Sequence, residues 1–442
     1  MKRGLHRIMA LSLASVMLAA VVGCGSNSGQ DSGKKEATAD KTASGKVKLE
    51  LYLQYSDDSE KVPLDYAIAE MKKVMPEVEA EIMPAARDDN QKLKTLAAAG
   101  NLPDIFDANP DIIKTFKKSN NILQLDSYVK ELNIEDQLQD STKATLRDDE
   151  GHIYGIPSDA PWFAMIYYNK DVFQQNGLQP PTNFNEFLDV VKKLKEKNII
   201  PLGLFAKEKW PGVQLYDMIA TRMDPKGIEG LDKGTALTSD PAYSKATDKL
   251  TQLVNAGVLA PGAFNMGYDE VLSLFVEGKA AMMLNGGWAV QDLGAKMPGK
   301  AGILKYPFAD PGQESAVASQ MSGGGTIGGI AVSPNSEHKD IATKYAIQLS
   351  LKMSEGRVLK RGAFPIVKNA VQPEKPYSDI QNEYKDYASQ AKSFSAFTFG
   401  MTNPTVKTAL EDNVQKLMAG GYKETKDFVK DMDAAINRAR NK

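Results

Sequence analysis

The sequence predicts an α/β fold arranged in two domains. Three observations carry this expectation. The chain has 442 residues, more than a single core of about 100–200 residues usually holds. Strand-like alternation and helix-like recurrence of apolar residues follow one another in β-α-β order. The composition, 42% apolar and 25% charged with both signs mixed, can fill cores while keeping a soluble surface.

The elements follow in chain order. Val47 to Tyr55 places an apolar or aromatic residue at every odd position, the signature of a strand. Leu64, Ile68, Met71 and Met75 recur at helical spacing, and Pro76 stops that helix. Val78 to Met83 reads as a second strand. Gln91 to Ala99 is a helix closed by Gly100, and Pro103 to Ala108 is a third strand. An open sheet built in this order binds ligands beyond the carboxyl ends of its strands. The pattern then resumes. His152 to Pro157 and Phe163 to Asn169 are strand-like, and Asn183 to Lys197 is an amphipathic helix. Pro201 to Phe205, Ala280 to Leu284 and Thr326 to Val332 read as strands. Ser239 to Ala256, Tyr268 to Glu277, His338 to Leu349, Thr405 to Met418 and Thr425 to Arg440 read as helices.

Composition excludes several functions. Lys+Arg 54 against Asp+Glu 56 gives a net charge of −2, without the basic excess of a dedicated nucleic-acid binder. One cysteine and three histidines (His6, His152, His338) leave little for a disulfide or a zinc site. No cofactor is expected.

The N-terminus reads as an address and a tether. Lys2, Arg3 and Arg7 precede a low-polarity run of 15 residues from Ile8 to Val22, short of the roughly 20 a membrane-spanning helix needs. A basic start, a short apolar stretch and small residues form a secretory signal over residues 1–23. The lone cysteine, Cys24, ends Val21-Val22-Gly23-Cys24, which resembles a bacterial lipobox. In that motif the cysteine thiol takes a diacylglyceryl group and becomes the new N-terminus. Two acyl chains hold a protein to a bilayer stably where one holds marginally. Residues 1–23 carry three basic residues and no acid, so the remainder has a net charge of −5. Residues 24–45, rich in Ser, Gly, Lys and Thr, read as a flexible tether.

Several stretches together resemble the bacterial extracellular solute-binding proteins of the sugar-binding, maltodextrin-binding-like kind. They are Leu93 to Phe106 (LKTLAAAGNLPDIF), Tyr154-Gly155-Ile156-Pro157 and Tyr167 to Phe173. Gly177 to Thr182 with the Phe184 helix, Phe275 to Met282, and Asn285-Gly286-Gly287-Trp288-Ala289 complete the series. The resemblance covers roughly residues 47–440. It implies a periplasmic-binding-protein-like α/β fold of two lobes. Each lobe would be a mixed sheet flanked by helices, joined by a multi-strand hinge with the ligand between them. The first lobe is placed at 46–157 plus 325–390 and the second at 160–322 plus 400–442. Crossings fall near Asp159, Gly323 and Phe397. The resemblance further implies a substrate-binding lipoprotein of an ABC importer, with a saccharide as ligand, permease subunits as partners and a monomeric state. The chain departs from the maltodextrin-binding pattern after the "PD" strand and near Trp162, so the resemblance does not extend to maltodextrin itself.

Sugar recognition needs aromatic faces for the pyranose rings and Asp, Asn, Gln or Arg for the hydroxyls. Trp162, Trp210 and Trp288 fall in or beside predicted loops and strand ends, and the resemblance assigns Trp288 to a stacking platform. Tyr216 lies on a helix face. Gln54, Tyr55 and Ser56 end the first strand, Asp107 ends the third, and Asp159 stands at a lobe crossing. Asn285, Gly286 and Gly324 offer close backbone approach. Asp107 has a second reading, as the cap of the helix that follows Pro110. The glycine run 323–325 lacks the Lys-Ser/Thr of a phosphate loop and reads instead as a flexible crossing. Gly-x-Ser-x-Gly and His-Glu-x-x-His are absent, which argues against an enzyme. The alternatives are a surface-anchored polysaccharide-degrading enzyme, or a binding protein feeding a membrane sensor.

Overall fold

The computed structural model describes residues 45–440, apart from 57, 87, 89, 144, 149, 325–327 and 396. Cys24, the signal segment and most of the tether lie outside the described residues.

The chain opens with β1 (Val47–Leu53), α1 (Asp58–Val74), β2 (Val78–Pro84), α2 (Gln91–Ala98), β3 (Ile105–Ala108) and α3 (Pro110–Ser119), in the expected β-α-β-α-β order. Asn109 caps α3, its side chain accepting from the Ile112 amide with Pro110 in the first turn. The capping role considered for Asp107 therefore belongs to Asn109. The chain crosses to a second lobe through residues 157–163. There it forms β4 (Ala164–Asn169), α4 (Phe184–Glu196), β5 (Ile200–Gly203), α5 (Trp210–Ala220), α6 (Pro241–Asn255), α7 (Tyr268–Val276), β6 (Ala280–Gly286), α8 (Ala289–Lys296), β7 (Ala301–Leu304) and β8 (Gln320–Met321). It returns to the first lobe as β9 (Gly329–Val332) and α9 (Lys339–Arg361). It then ends on the second lobe with α10 (Asp379–Ala388), β10 (Ser393–Phe394), α11 (Pro404–Met418) and α12 (Thr425–Arg440).

Each lobe holds a mixed four-stranded sheet. The first has the order β2-β1-β3-β9, with β9 antiparallel to β3 and the remaining pairs parallel. The second has the order β5-β6-β4-β7, with only β5 and β6 parallel. The carboxyl ends of β1 and β3 thus lie together, as the strand order required. Separate apolar cores fill the lobes. The first lobe has two, one built on Leu49, Leu51, Ile105 and the buried face of α9 and one on Tyr52, Phe106 and Phe116; that of the second lobe is built on Ile166, Phe187, Phe275 and Met283. Close packing of α1 on α9 uses Gly356, where a Cβ would stand 2.8 Å from the Tyr66 ring.

Three expectations are corrected. Residues 379–390 do not belong to the first lobe. Ile380, Tyr384 and Tyr387 of α10 are buried in the second-lobe core. The third crossing accordingly lies between Val367, which still bridges Leu138 of the first lobe, and Ser378, not near Phe397. His152 to Pro157 forms no continuous strand. Only Ile156 pairs, with Ile330, because the segment is already leaving the sheet.

The first two crossings run antiparallel, pinned by the Ile156–Ile330 and Phe163–Gly323 bridges. Gly329, at φ 136°, passes so close to Ile156 that a Cβ would meet its carbonyl oxygen at 2.2 Å. Asp217 on α5 secures the ribbon of β8 and β10, which pair in parallel. Its Oδ2 accepts from Ser322 Oγ at 2.5 Å and from Ser395 Oγ, and its Oδ1 accepts from the Ile228 amide at 2.9 Å. Asp217 is fully buried. Burial, only partly offset by the two serine hydroxyls, pushes its carboxyl up to about 6.

Candidate functional site

Two sets of side chains flank the first crossing, which carries both Asp159 and Trp162. The first is aromatic. Trp162 comes from the first crossing, Trp210 from the start of α5, Trp288 from the turn between β6 and α8, and Phe399 from the segment after β10. Trp162 and Trp288 stand edge to face at 4.6 Å, and Trp210 lies 6.2 Å from Trp288. Phe399 closes the group, 5.9 Å from Trp162 and 5.1 Å from Trp210. All four rings are only partly buried, so part of each remains accessible. Their seats are built from beneath. Phe205 packs against Trp210 at 5.2 Å and against Tyr268 at 5.3 Å. The Tyr268 hydroxyl is engaged by Asn285 and Trp288, and burial pushes it up to about 12. Gly286 leaves the room Trp288 needs, since a Cβ there would stand 2.0 Å from the indole. Trp210 Nε1 donates to Glu208 at 3.0 Å.

The second set is polar and belongs to the first lobe. The Gln54 amide donates to Asp107 Oδ2 at 3.3 Å, which ties the end of β1 to the end of β3. Burial first, and the Glu60 carboxylate second, push Asp107 up to about 6. Arg357, near the end of α9, donates to Glu60 Oε2 and to the Ser59 carbonyl, both at 3.1 Å. It also stands 3.8 Å from Asp159 Oδ2. Burial draws the guanidinium down, but Asp159 and Glu60 outweigh it and hold Arg357 above its usual value. Asp159 is raised by desolvation and by Glu60, against the pull of Arg357. Its side chain is 47% exposed and that of Glu60 28%, so neither is sealed from solvent.

The two sets form one continuous circuit. Arg361, one turn beyond Arg357, pairs with Asp292 at 3.1 Å. Asp292 is one turn beyond Trp288 on α8. Asp159 lies three residues before Trp162 on the first crossing, and Trp162 touches Trp288. An aromatic floor and a charged wall are thereby joined, with both lobes and a crossing contributing.

The three tryptophans meet in the aromatic set, and Asp107 and Asp159 lie near Arg357 in the polar one. Gln54, Tyr55 and Ser56 lie between β1 and α1, where the Tyr55 hydroxyl donates to Asp65 at 2.8 Å. Tyr216 is corrected. It is fully buried, and its hydroxyl meets the Tyr243 carbonyl and Thr247 Oγ1, because this face of α5 turns toward α6. Asn285 is 1% exposed and faces Met283 and Tyr268, so it supports the floor from below. Gly286 likewise seats an indole. Gly324, at φ 80° with a Cβ position 2.3 Å from the Phe163 ring, serves the crossing. Sequence reasoning missed Phe399, Tyr268, Glu60 and Arg357. Phe399 had a signal in the aromatic run from Phe394 to Phe399, whereas Arg357 looks like any solvated helix charge. Among the described residues no group of three or more His, Cys, Asp or Glu could hold a metal ion.

The family model for bacterial extracellular solute-binding proteins matches residues 59–347. The chain belongs to that family. An uncharacterised ABC transporter extracellular-binding protein of Pyrococcus horikoshii is 25% identical to this solute-binding protein over 295 residues, 64% of each chain. The melibiose/raffinose/stachyose-binding protein of Bacillus subtilis is 24% identical over 291 residues, 63% of this chain and 66% of its own. The chain thus spans about two thirds of the length of these relatives. A solved structure described under xylan utilisation by the thermophile Caldanaerobius polysaccharolyticus superposes with a TM-score of 0.78. It is 26% identical, and the match covers 88% of this solute-binding protein and all of that chain.

Proposed function

We propose that this protein captures an oligosaccharide between its lobes and passes it to the permease of an ABC importer. In this reading it works as a monomer held at the outer face of the cell membrane by lipid on Cys24. The observation that carries the reading is the convergence of Trp162, Trp210, Trp288 and Phe399 from separate segments onto one partly open floor. Flat apolar faces beside carboxylate acceptors match the two sides of a pyranose, whose ring hydrogens stack and whose hydroxyls donate. The relatives support a saccharide ligand, since one binds melibiose, raffinose and stachyose and another structure belongs to xylan utilisation. Lobe closure about the paired crossings would bury the ligand and present a new surface to the permease.

A thermal-shift panel of xylo-, chito- and galacto-oligosaccharides on the secreted body tests the proposal, because a ligand that binds the native state raises the melting temperature. At least one saccharide should raise it, with the gain lost in Trp288→Ala. A flat response across the panel would overturn the reading.

A further inference from the structure

The two lobes also touch away from their crossings. Lys114 lies on α3 of the first lobe, whose Ile112, Ile113 and Phe116 are buried in that lobe. Its Nζ donates to the Thr402 carbonyl, between β10 and α11 on the second lobe. The same helix packs on the turn Phe397–Gly400. Asp111, the acidic residue of α3, is taken by Lys94 at 2.7 Å, so the carboxylate on its own helix is already engaged.

The second lobe grips the other side of the same peptide group. The Thr402 carbonyl and the Asn403 amide belong to one peptide bond. The Asn403 amide donates to Asp232 Oδ1 at 2.9 Å, and the Thr402 amide and hydroxyl donate to its Oδ2 at 2.9 and 3.2 Å. Asp232 is buried, next to Leu231 of the second-lobe core. One peptide thus stands between a first-lobe cation and a second-lobe anion, and each polarises it in the sense that strengthens the other's bond. Thr402 follows Phe399 by three residues, and Met401 between them is buried in the second-lobe core. The contact therefore falls on the segment that carries one of the four floor rings.

We propose that Lys114 is a positioning residue for ligand capture, which latches the lobes together through the Thr402–Asn403 peptide and so retains a saccharide on the floor that Phe399 completes. The proposal rests on the saccharide reading above. A hydrogen bond reaches about 3.5 Å at most, so parting of the lobes breaks this one, and neither residue lies on a crossing that would keep the pair together. A hydrogen bond from a charged donor shifts the closing equilibrium by about tenfold. The latch forms once the lobes have closed, so it slows release more than it speeds capture.

The test is stopped-flow tryptophan fluorescence with the saccharide found by the panel. Lys114→Met, or Lys114→Ala should that variant not fold, should raise the dissociation rate about tenfold and change the association rate less than about threefold. Lys114→Arg keeps a cationic donor and should recover most of the native rate. Lys118→Met removes the same charge from an exposed position on the same helix and should release the saccharide at the native rate. The melting temperature of the saccharide-free protein should change little in Lys114→Met, which separates the latch from a loss of fold. A Lys114→Met protein that releases the saccharide at the native rate, or a Lys118→Met protein that releases it as fast as Lys114→Met, overturns the proposal while leaving the saccharide reading intact. Failure of every saccharide in the panel to bind the native protein overturns the saccharide reading and this proposal together.

Discussion

Trp162 and Trp288 meet edge to face with ring centroids 4.6 Å apart, although one stands on a crossing between the lobes and the other is rooted in the second-lobe sheet. A ligand stacked on either ring therefore feels the position of the hinge. Replacing Trp288 by Ala should weaken saccharide binding by about 2 kcal/mol, roughly thirtyfold, as for a central aromatic contact. The ring also packs on the second-lobe core and meets Tyr268, so a lower melting temperature of the free protein is expected alongside the loss of affinity. The Trp162→Ala, Trp288→Ala double variant should lose less than the sum of the single losses, since each ring holds the other. Calorimetry on the saccharide found by the panel measures all three. Unchanged affinity in Trp288→Ala would remove the floor from the binding site.

Much of the architecture was legible because it rests on local periodicity. β1, α2, α4 and α12 begin within two residues of where alternation, caps and glycine stops placed them. The tryptophans stood out as candidate site residues because they fall beside predicted loops and strand ends, and the structure clusters their rings. What stayed hidden depends on distant packing. Tyr216 and Trp210 lie on the same helix, and only the neighbours of α5 decide that one is core and the other floor. Arg357 gains its role from Glu60 and Asp159, nearly 300 and 200 residues away in sequence. The third crossing was misplaced because α10 carries an ordinary amphipathic pattern that fits either lobe.

Gly329 offers a direct test of the crossing. At φ 136°, with its Cβ position 2.2 Å from the Ile156 carbonyl oxygen, an alanine there must both strain the backbone and push the two crossing strands apart. Gly329→Ala should cost about 2–4 kcal/mol of stability and lower the melting temperature accordingly. A variant that melts with the native protein would show that the strands do not pass this closely.

Asp217 should leave a mark on the pH dependence of stability. Its carboxyl is raised to about 6 in the folded chain from an ordinary value of 3.8. Between these values the folded state binds more protons than the unfolded state, so stability falls as pH rises through the window and the loss is complete above it. The shift corresponds to an upper bound of about 3 kcal/mol. Asp217→Asn cannot ionise and should therefore lose less stability than the native protein between pH 4 and 7, whatever its absolute stability. Denaturant melts across that range supply the comparison, and parallel slopes would mean that Asp217 ionises normally.

If Cys24 carries the anchor, Cys24→Ala should move the protein from the membrane fraction to the medium or the periplasm, because the acyl chains supply the membrane affinity. Fractionation followed by immunoblotting reads this out. Retention of the variant in the membrane would assign anchoring to something other than Cys24.

Arg357 is the residue whose loss should separate stability from recognition. Its guanidinium balances Glu60 and Asp159 and lies near the raised carboxyl of Asp107. Removing it leaves three carboxylates facing one another in a partly desolvated wall. Breaking such an arrangement from one side typically costs about 3–5 kcal/mol when fully buried. Here Asp159 is half exposed, so a loss of roughly 1–3 kcal/mol is expected for Arg357→Met. The sign of the pH response follows. Without the cation the carboxyls are easier to protonate, so the variant should regain stability on acidification from pH 7 toward 5 relative to the native protein. Returning the wall to its native net charge with Glu60→Gln in the Arg357→Met background should recover part of the loss at pH 7, because the repulsion it relieves is the larger cost. If Glu60→Gln worsens the variant instead, Arg357 acts through packing of its aliphatic stem rather than through charge.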